Sequence, residues 1–313
     1  MYPCRIMRRL LLIANPSASG FTGAALRTVE AKLGEAYAVT TAWPHGPAES
    51  RQAAADAAAD GYAVVAAMGG DGVVHHVANG LAFSATSMGI IPTGTTNVAA
   101  RILGIPTNPG RAASRLISGR PSPLTLAHIA TDSPVAARSE YAVFSLGIGI
   151  DADVVAIADR RPAAKYHFSS VNFAAIAANQ VVSKYRSRLP NLLVECNGRR
   201  EHAATVLVQV HDMYTYWGRV PLRLTTDPGD GLTALGVERV STNKAVSLVA
   251  RVLLKRPIEK QRGSHLFHDV QKLIIHAEPP AQFQADGELL GSTESVEVTP
   301  AYDAISVITP NRH

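Results

Sequence analysis

Along the first ~125 residues, short β-branched and leucine-rich runs alternate with alanine-rich stretches whose apolar positions recur at helical spacing. The spacing predicts strands over residues 8–14, 37–42, 62–67 and 88–91, and helices over 24–33, 48–59, 73–81, 98–103 and 111–117. Strand and helix taking turns in this way is the pattern of βα units on a mainly parallel sheet. After Arg120-Pro121-Ser122-Pro123 the period changes to that of strands, over 124–129, 141–146, 192–196, 205–210, 222–226, 232–237, 272–277, 295–299 and 304–308. This reads as a β-rich second domain, a sandwich. Two helical stretches interrupt it, 172–184 and 243–255, the latter with Val246, Val249, Val252 and Leu253 at helical spacing. The Pro121–Pro123 segment reads as a linker. The expected organisation is an α/β domain over 1–123, a β-sandwich over 124–300, and a C-terminal segment 301–313 returning to the first domain.

Composition narrows the class. The chain has 313 residues, 47% hydrophobic and 18% charged, enough for two domains that each bury a core. Its two cysteines, Cys4 and Cys196, argue against a disulfide framework and fit a reducing, cytoplasmic setting. Arg5, Arg8 and Arg9 ahead of the apolar run 10–13 resemble a signal segment superficially, but the run is short and leads into Asn15-Pro16, so a first strand is the better reading. No stretch approaches the ~18 apolar residues of a membrane span.

The net charge of +5 is unevenly spread. Residues 155–190 carry six basic residues against Asp159 alone, and 251–262 carry five against Glu259 alone. Such patches attract an anionic partner, with a solvated basic face as the plain alternative. With 6% aromatic residues and no helix-turn-helix, RNP-type or zinc-finger spacing, no nucleic acid is expected and an anionic membrane surface is favoured.

Candidate chemistry gathers at three strand ends. Gly69-Gly70-Asp71-Gly72 closes an apolar run and opens a helix. Its glycines let the backbone pass close to a bulky anion, the helix-start amides point at phosphate, and the carboxylate can hold Mg²⁺ or take a proton. Asn15-Pro16-Ser17-Ala18-Ser19-Gly20 follows the first strand, and Pro92-Thr93-Gly94-Thr95-Thr96-Asn97 the fourth, each with hydroxyls, a glycine and an amide. Any one could be an ordinary turn. Three at the carboxyl ends of strands in one sheet converge on one crevice and favour a nucleotide site. No Walker A lysine is present, so phosphates would be held mainly by backbone amides, Mg²⁺ and a basic side chain.

These motifs resemble the diacylglycerol kinase catalytic domain family, which includes bacterial lipid kinases, sphingosine kinases and ceramide kinases. The similarity extends over nearly the whole chain. The family's N-P-x-x-x-G turn, G-G-D-G-T turn and P-x-G-T-x-N loop are matched by Asn15, Pro16 and Gly20, by Gly69 to Gly72, and by Pro92, Gly94, Thr95 and Asn97. The resemblance implies an α/β domain of the NAD kinase and phosphofructokinase type joined to a β-sandwich. It further implies an ATP site built by these loops, with Asp71 working at the phosphates through Mg²⁺ or as a base. Val73 stands where bacterial members usually carry Thr. In the second domain Gly147-Ile148-Gly149-Ile150-Asp151-Ala152 resembles the family's G-x-G-x-D-A segment. Asp227, Asp230 and the carbonyl of Leu232 resemble a structural Mg²⁺ loop, against the alternative of an ion-free hairpin turn. Asp286-Gly287-Glu288 resembles the late D-G-E, where an acid takes the proton from the lipid hydroxyl; Asp71 and Glu288 remain rival bases, with Asp286 next. His265 and His268 fall on opposite faces of a strand, and His75-His76 are adjacent, so neither pair is read as a metal site.

The expectation is an ATP- and Mg²⁺-dependent lipid kinase in phospholipid biosynthesis, peripheral at the inner membrane face, with diacylglycerol as first substrate and a sphingoid base or other lipid alcohol second. An NAD-type soluble-metabolite kinase and a lipid-binding protein without catalysis rank below it. A homodimer is compatible with it. If Arg160, Arg161, Lys184, Arg186 and Lys255 face a membrane, each contributes about 1 kcal/mol near an anionic surface, and binding weakens with salt. Vesicle sedimentation should then show preference for anionic over neutral lipid, and equal binding to both would reject the basic face.

Overall fold

The computed structural model describes residues 7–131, 139–159, 191–217, 220–225, 231–239, 247, 251 and 261–310. The chain divides into two units, Met1–Thr125 with Tyr302–His313, and Leu126–Ala301.

The first unit runs β1 (Arg8–Ala14), α1 (Gly23–Leu33), β2 (Tyr37–Ala42), α2 (Pro47–Ala59), β3 (Val64–Gly69), α3 (Asp71–Leu81), β4 (Ser87–Pro92), α4 (Val98–Ile102) and α5 (Pro109–Ser118). The four strands are parallel in the order β4-β3-β1-β2. Every residue of β3 and β4 is buried, which explains why they read as continuous apolar runs without alternation. The helices start where side chains satisfy orphan amides: Thr22 accepts from Ala25 N–H at 3.0 Å, and Asn108 from Arg111 N–H at 3.0 Å, while Pro47 and Pro109 occupy first-turn positions. α1 packs on α5 and α2 on α3, and right-handed crossovers put the two pairs on opposite faces of the sheet. Two glycines permit this packing. A Cβ at Gly80 would fall on the main chain of Arg51 in α2, and one at Gly89 on the Leu116 side chain of α5.

The second unit contains the second half of β5 (Arg120–Thr131), then β6 (Glu140–Ala142), β7 (Ser145–Gly149), α6 (Ile150–Asp159), β8 (Leu192–Cys196), β9 (Arg199–Ala203), β10 (Thr205–Gln209), β11 (Thr215–Trp217), β12 (Val220–Leu222), β13 (Leu232–Val237), β14 (Ser264–Val270), β15 (Leu273–Ala285) and the larger part of β16 (Glu288–Thr309). β15 serves two layers. Residues Leu273 to Ala277 pair with β8, and Phe283 to Ala285 pair with β7, which continues through β10 and β13 to β14. The inward residues of both layers, among them Leu146, Val194, Val208, Phe267 and Phe283, form one buried cluster. The sandwich is therefore one folded sheet whose layers share a long bent strand.

The elements correct several expectations. Pro121 and Pro123 lie within β5, a strand and not an irregular linker, in which the chain passes from the first unit to the second. Being two apart, they withhold their missing donors from the same edge of the strand, and Ser122 Oγ between them meets Thr309 Oγ1 at 3.1 Å. The strand expected over 141–146 is broken at Val143 and Phe144, whose amides serve a side chain described below. Residues 223–225 are not strand; the Leu224 amide donates to Gln209 Oε1 at 2.7 Å. β9, β14 and α6 were not anticipated, and 272–277, 295–299 and 304–308 are parts of two long strands. The expected helices over 172–184 and 243–255 lie outside the described residues, as do Arg160, Arg161, Lys184, Arg186 and Lys255. Among the described residues no helix is long and apolar enough to cross a membrane.

Leu12, fully buried on β1 between β2 and β3, tests the parallel core. Leu12→Ala should lower unfolding free energy by about 2–5 kcal/mol through the cavity it leaves. Urea titration should show a lower midpoint with an unchanged slope.

Candidate active site

In the first unit the chain turns from β1 to β2 on one side and passes back to β3 on the other, so the topological switch lies between β1 and β3. The loops after β1, β3 and β4 meet there through main-chain bonds. Asn15 N–H donates to Met68 O at 3.0 Å, Gly20 N–H to Thr93 O at 2.7 Å, and Thr93 N–H to Gly69 O at 2.9 Å. Ser19 Oγ and Thr95 Oγ1 lie 2.9 Å apart. Side chains cannot be added at the crossings: a Cβ at Gly20 would stand 2.9 Å from Thr93 O, and one at Gly94 2.5 Å from Gly70 Cα. At Gly69 the obstacle is Val73, whose side chain occupies the place of a Cβ. The structure thus brings together Asn15, Ser19, Gly20, Gly69, Gly70, Asp71, Thr93, Gly94, Thr95 and Asn97, with Pro16 and Ser17 exposed on the first loop and Gly72 in the first turn of α3.

Asp71 opens α3 and spans to the next loop, its two carboxylate oxygens accepting from Val98 N–H at 3.0 Å and Ala99 N–H at 3.1 Å. It caps α4 because Asn97 at the N-cap is otherwise engaged. Asn97, in the left-handed region at φ 49°, turns its amide back onto Gly94, accepting its N–H at 2.9 Å and donating to its carbonyl at 2.7 Å. α3 itself starts at Gly70, which has no side chain to offer its first amides. Thr93, 2% exposed, keeps a buried hydroxyl without a hydrogen-bond partner among the described residues. A helix start without a side-chain cap, a buried donor and glycine-tight crossings suit an anion with several oxygens.

In the second unit Asp286 and Gly287 form the two-residue turn between β15 and β16, with φ values of 54° and 85° and Ala285 opposite Glu288. Positive φ at both central residues is what a type I′ hairpin requires, and Asp-Gly supplies it. Asp286 is 4% exposed, and its carboxylate accepts three amides: Val143 at 2.7 Å, Phe144 at 2.8 Å and Ser145 at 3.1 Å. This breaks the strand between β6 and β7. Beside this hairpin Asp151, at the start of α6, accepts from Tyr214 Oη at 2.6 Å and Gln284 Nε2 at 2.5 Å. Burial pushes the Asp151 carboxyl above the usual range, against those two hydrogen bonds. Burial and the adjacent Asp151 charge hold the Tyr214 phenol well above its ordinary value.

Residues 9–129 match the diacylglycerol kinase catalytic domain. An uncharacterised protein of Synechocystis is 26% identical over 83% of this chain and 58% of its own length. The diacylglycerol kinase of Bacillus subtilis is 38% identical over 26% of this chain and 28% of its own, and that of Mycobacterium tuberculosis 39% over 28% of each. The chain therefore spans under two thirds of the length of these relatives. A crystal structure of a diacylglycerol kinase from Bacillus anthracis shares the fold with a TM-score of 0.70 at 17% identity, covering 98% of each chain. Yeast NADH kinase superposes with a TM-score of 0.50 at 9% identity, over 98% of this chain and 85% of its own. The diacylglycerol kinase family match ends at 129, so beyond it the likeness to diacylglycerol kinases rests on fold, while the Synechocystis match extends into the β-rich unit.

The remaining candidates are placed as follows. Asp227 and Asp230 lie outside the described residues; Leu232 is buried in β13, opposite Val270. His265 Nε2 meets Glu238 Oε1 at 2.8 Å and its Nδ1 lies 3.6 Å from Glu201, while His268 is exposed. Among the described residues no three His, Cys, Asp or Glu gather as a metal site. His75 is fully buried, edge-on to His76 with ring centroids 5.0 Å apart. Tyr214, Gln284 and the Val143–Ser145 amides were not anticipated. Only the Asp-Gly pair at 286–287 carried a legible signal, that of a hairpin.

Asp286→Ala would orphan three buried amides, each worth about 1–3 kcal/mol, so thermal unfolding should show a loss of at least about 3 kcal/mol. A loss below 1 kcal/mol would show that water replaces the carboxylate.

Proposed function

We propose that the protein is an ATP-dependent lipid kinase that transfers the γ-phosphate to a lipid hydroxyl, with diacylglycerol as first substrate and a sphingoid base or other lipid alcohol second. The observation carrying this reading is the crevice at the β1/β3 switch, where the α3 amides, the buried Thr93 hydroxyl and the Ser19–Thr95 pair form a setting for phosphate oxygens. The family match over 9–129 and the kinase names of its relatives support it.

In this reading the loops after β1, β3 and β4 hold the triphosphate by main-chain amides and hydroxyls. Asp71 ties the start of α3 to the start of α4 through the Val98 and Ala99 amides, and in this reading its charge would also attract a magnesium ion. When bound, Mg²⁺ would neutralise charge on the transferring phosphoryl oxygens. Asp286 is spent on three amides and serves as an anchor, which leaves Glu288, partly exposed on the adjoining strand, as the acid we assign to the lipid hydroxyl proton. The acyl chains would lie against the β-rich unit, and the basic segments against an anionic membrane.

Incubation with labelled ATP, Mg²⁺ and a total lipid extract should label a lipid, and its chromatographic identity names the substrate. Label appearing only in a soluble metabolite would favour an NAD-type kinase. Asp71→Asn should reduce turnover by at least ~10²-fold and bind a non-hydrolysable ATP analogue less tightly. Glu288→Gln should depress turnover strongly and bind the analogue normally, since a base acts only in the transition state. Reversal of the two binding results would move the base to Asp71.

A further inference from the structure

We propose that Asp151, Tyr214 and Gln284 form a positioning network that holds the Asp286–Gly287 turn, and through it Glu288, in a single geometry. The proposal rests on the assignment of Glu288 above.

Gln284 is the hub. Its Oε1 accepts the Gly287 N–H at 2.8 Å, and its Nε2 donates to Asp151 Oδ2 at 2.5 Å and lies 3.4 Å from Tyr214 Oη. Tyr214 donates its hydroxyl to the same carboxylate oxygen at 2.6 Å. The amide cannot be reversed, because only its oxygen can accept from a main-chain N–H and only its nitrogen can donate to a carboxylate. Space around the acid is equally fixed: a Cβ at Gly147 would land on the Asp151 carboxylate. Gln284 and Tyr214 are 2% and 7% exposed, so water does not substitute for these bonds.

The two residues of the turn are thereby held from two directions. Asp286 is held by its own carboxylate on the Val143–Ser145 amides, and Gly287 through Gln284 by Asp151. Glu288 follows directly, paired with Ala285, so a rotation of the turn displaces its side chain. A buried carboxylate with no Lys or Arg paired to it among the described residues costs stability, and apolar side chains would fill the same volume without that cost. What the acid supplies is direction: two donors converge on one oxygen, and the amide they fix grips one main-chain N–H.

The test is a double-mutant cycle in the full chain. Gln284→Met keeps the side-chain length and removes both bonds. It should lower kcat for lipid phosphorylation about tenfold with KM for ATP nearly unchanged, and adding Glu288→Gln to it should cost far less than Glu288→Gln costs alone. Tyr214→Phe should show the same pattern to a smaller degree, and it serves as the probe if Gln284→Met does not fold. Hydrogen exchange supplies a readout independent of activity: the Gly287 amide should exchange at least about tenfold faster in Gln284→Met, with β10 amides unchanged. Effects of Gln284→Met and Glu288→Gln that simply multiply would overturn the proposal, as would unaltered Gly287 exchange. If the wild-type protein phosphorylates no lipid, the functional reading fails, and Gly287 exchange alone decides whether the network grips the turn.

Discussion

The hydrogen bonds that Asp71 and Asp286 accept from main-chain amides are the constraint on which both sets of candidate residues depend. Each aspartate reaches from one turn to a segment distant in sequence: Asp71 to residues 98 and 99, Asp286 to residues 143, 144 and 145. An ionised carboxylate accepting several N–H groups makes short, charge-assisted bonds that a neutral side chain cannot equal. Loops carry function best when a rigid scaffold sets their geometry, and here acids supply the rigidity that loop backbone lacks.

In the N-terminal unit that rigidity acts together with glycine. The close passages at Gly20 and Gly94 leave room for main chain only, so the amides are packed around a crevice without side chains intruding. Val73 belongs to the same arrangement. It lacks the hydroxyl that the resemblance led one to expect and fills the space above Gly69, which makes that glycine a packing requirement as well as a turn residue.

In the β-rich unit the polar groups are more deeply placed. Tyr214, Gln284 and Asp286 are buried in a largely apolar sandwich and Asp151 is desolvated beside them, and the hydrogen bonds each makes render that placement tolerable. The Asp286–Gly287 turn shows how one dipeptide can satisfy two demands. Its positive φ values shape the hairpin, and its carboxylate organises the break between β6 and β7.

Much of the first unit was legible in the chain because local rules sufficed. The strands and helices of the βα units, and the convergence of three turns at the carboxyl edge, follow from apolar period and turn chemistry acting over a few residues. Asn197-Gly198, which joins β8 to β9, and Asp286-Gly287 are turn dipeptides with positive φ at both residues, but neither was read as a hairpin, and β9 and the union of 272–277 with 283–285 into one strand went unread. What sequence could not decide was partnership across distance. That Asp286 spends its charge on residues 143–145, that Asp151 meets Tyr214 and Gln284, and that Pro121 and Pro123 sit inside a strand all depend on segments brought together only by folding. Period and propensity are properties of neighbours along the chain, whereas the occupancy of a carboxylate is set by whichever amides the tertiary structure delivers to it.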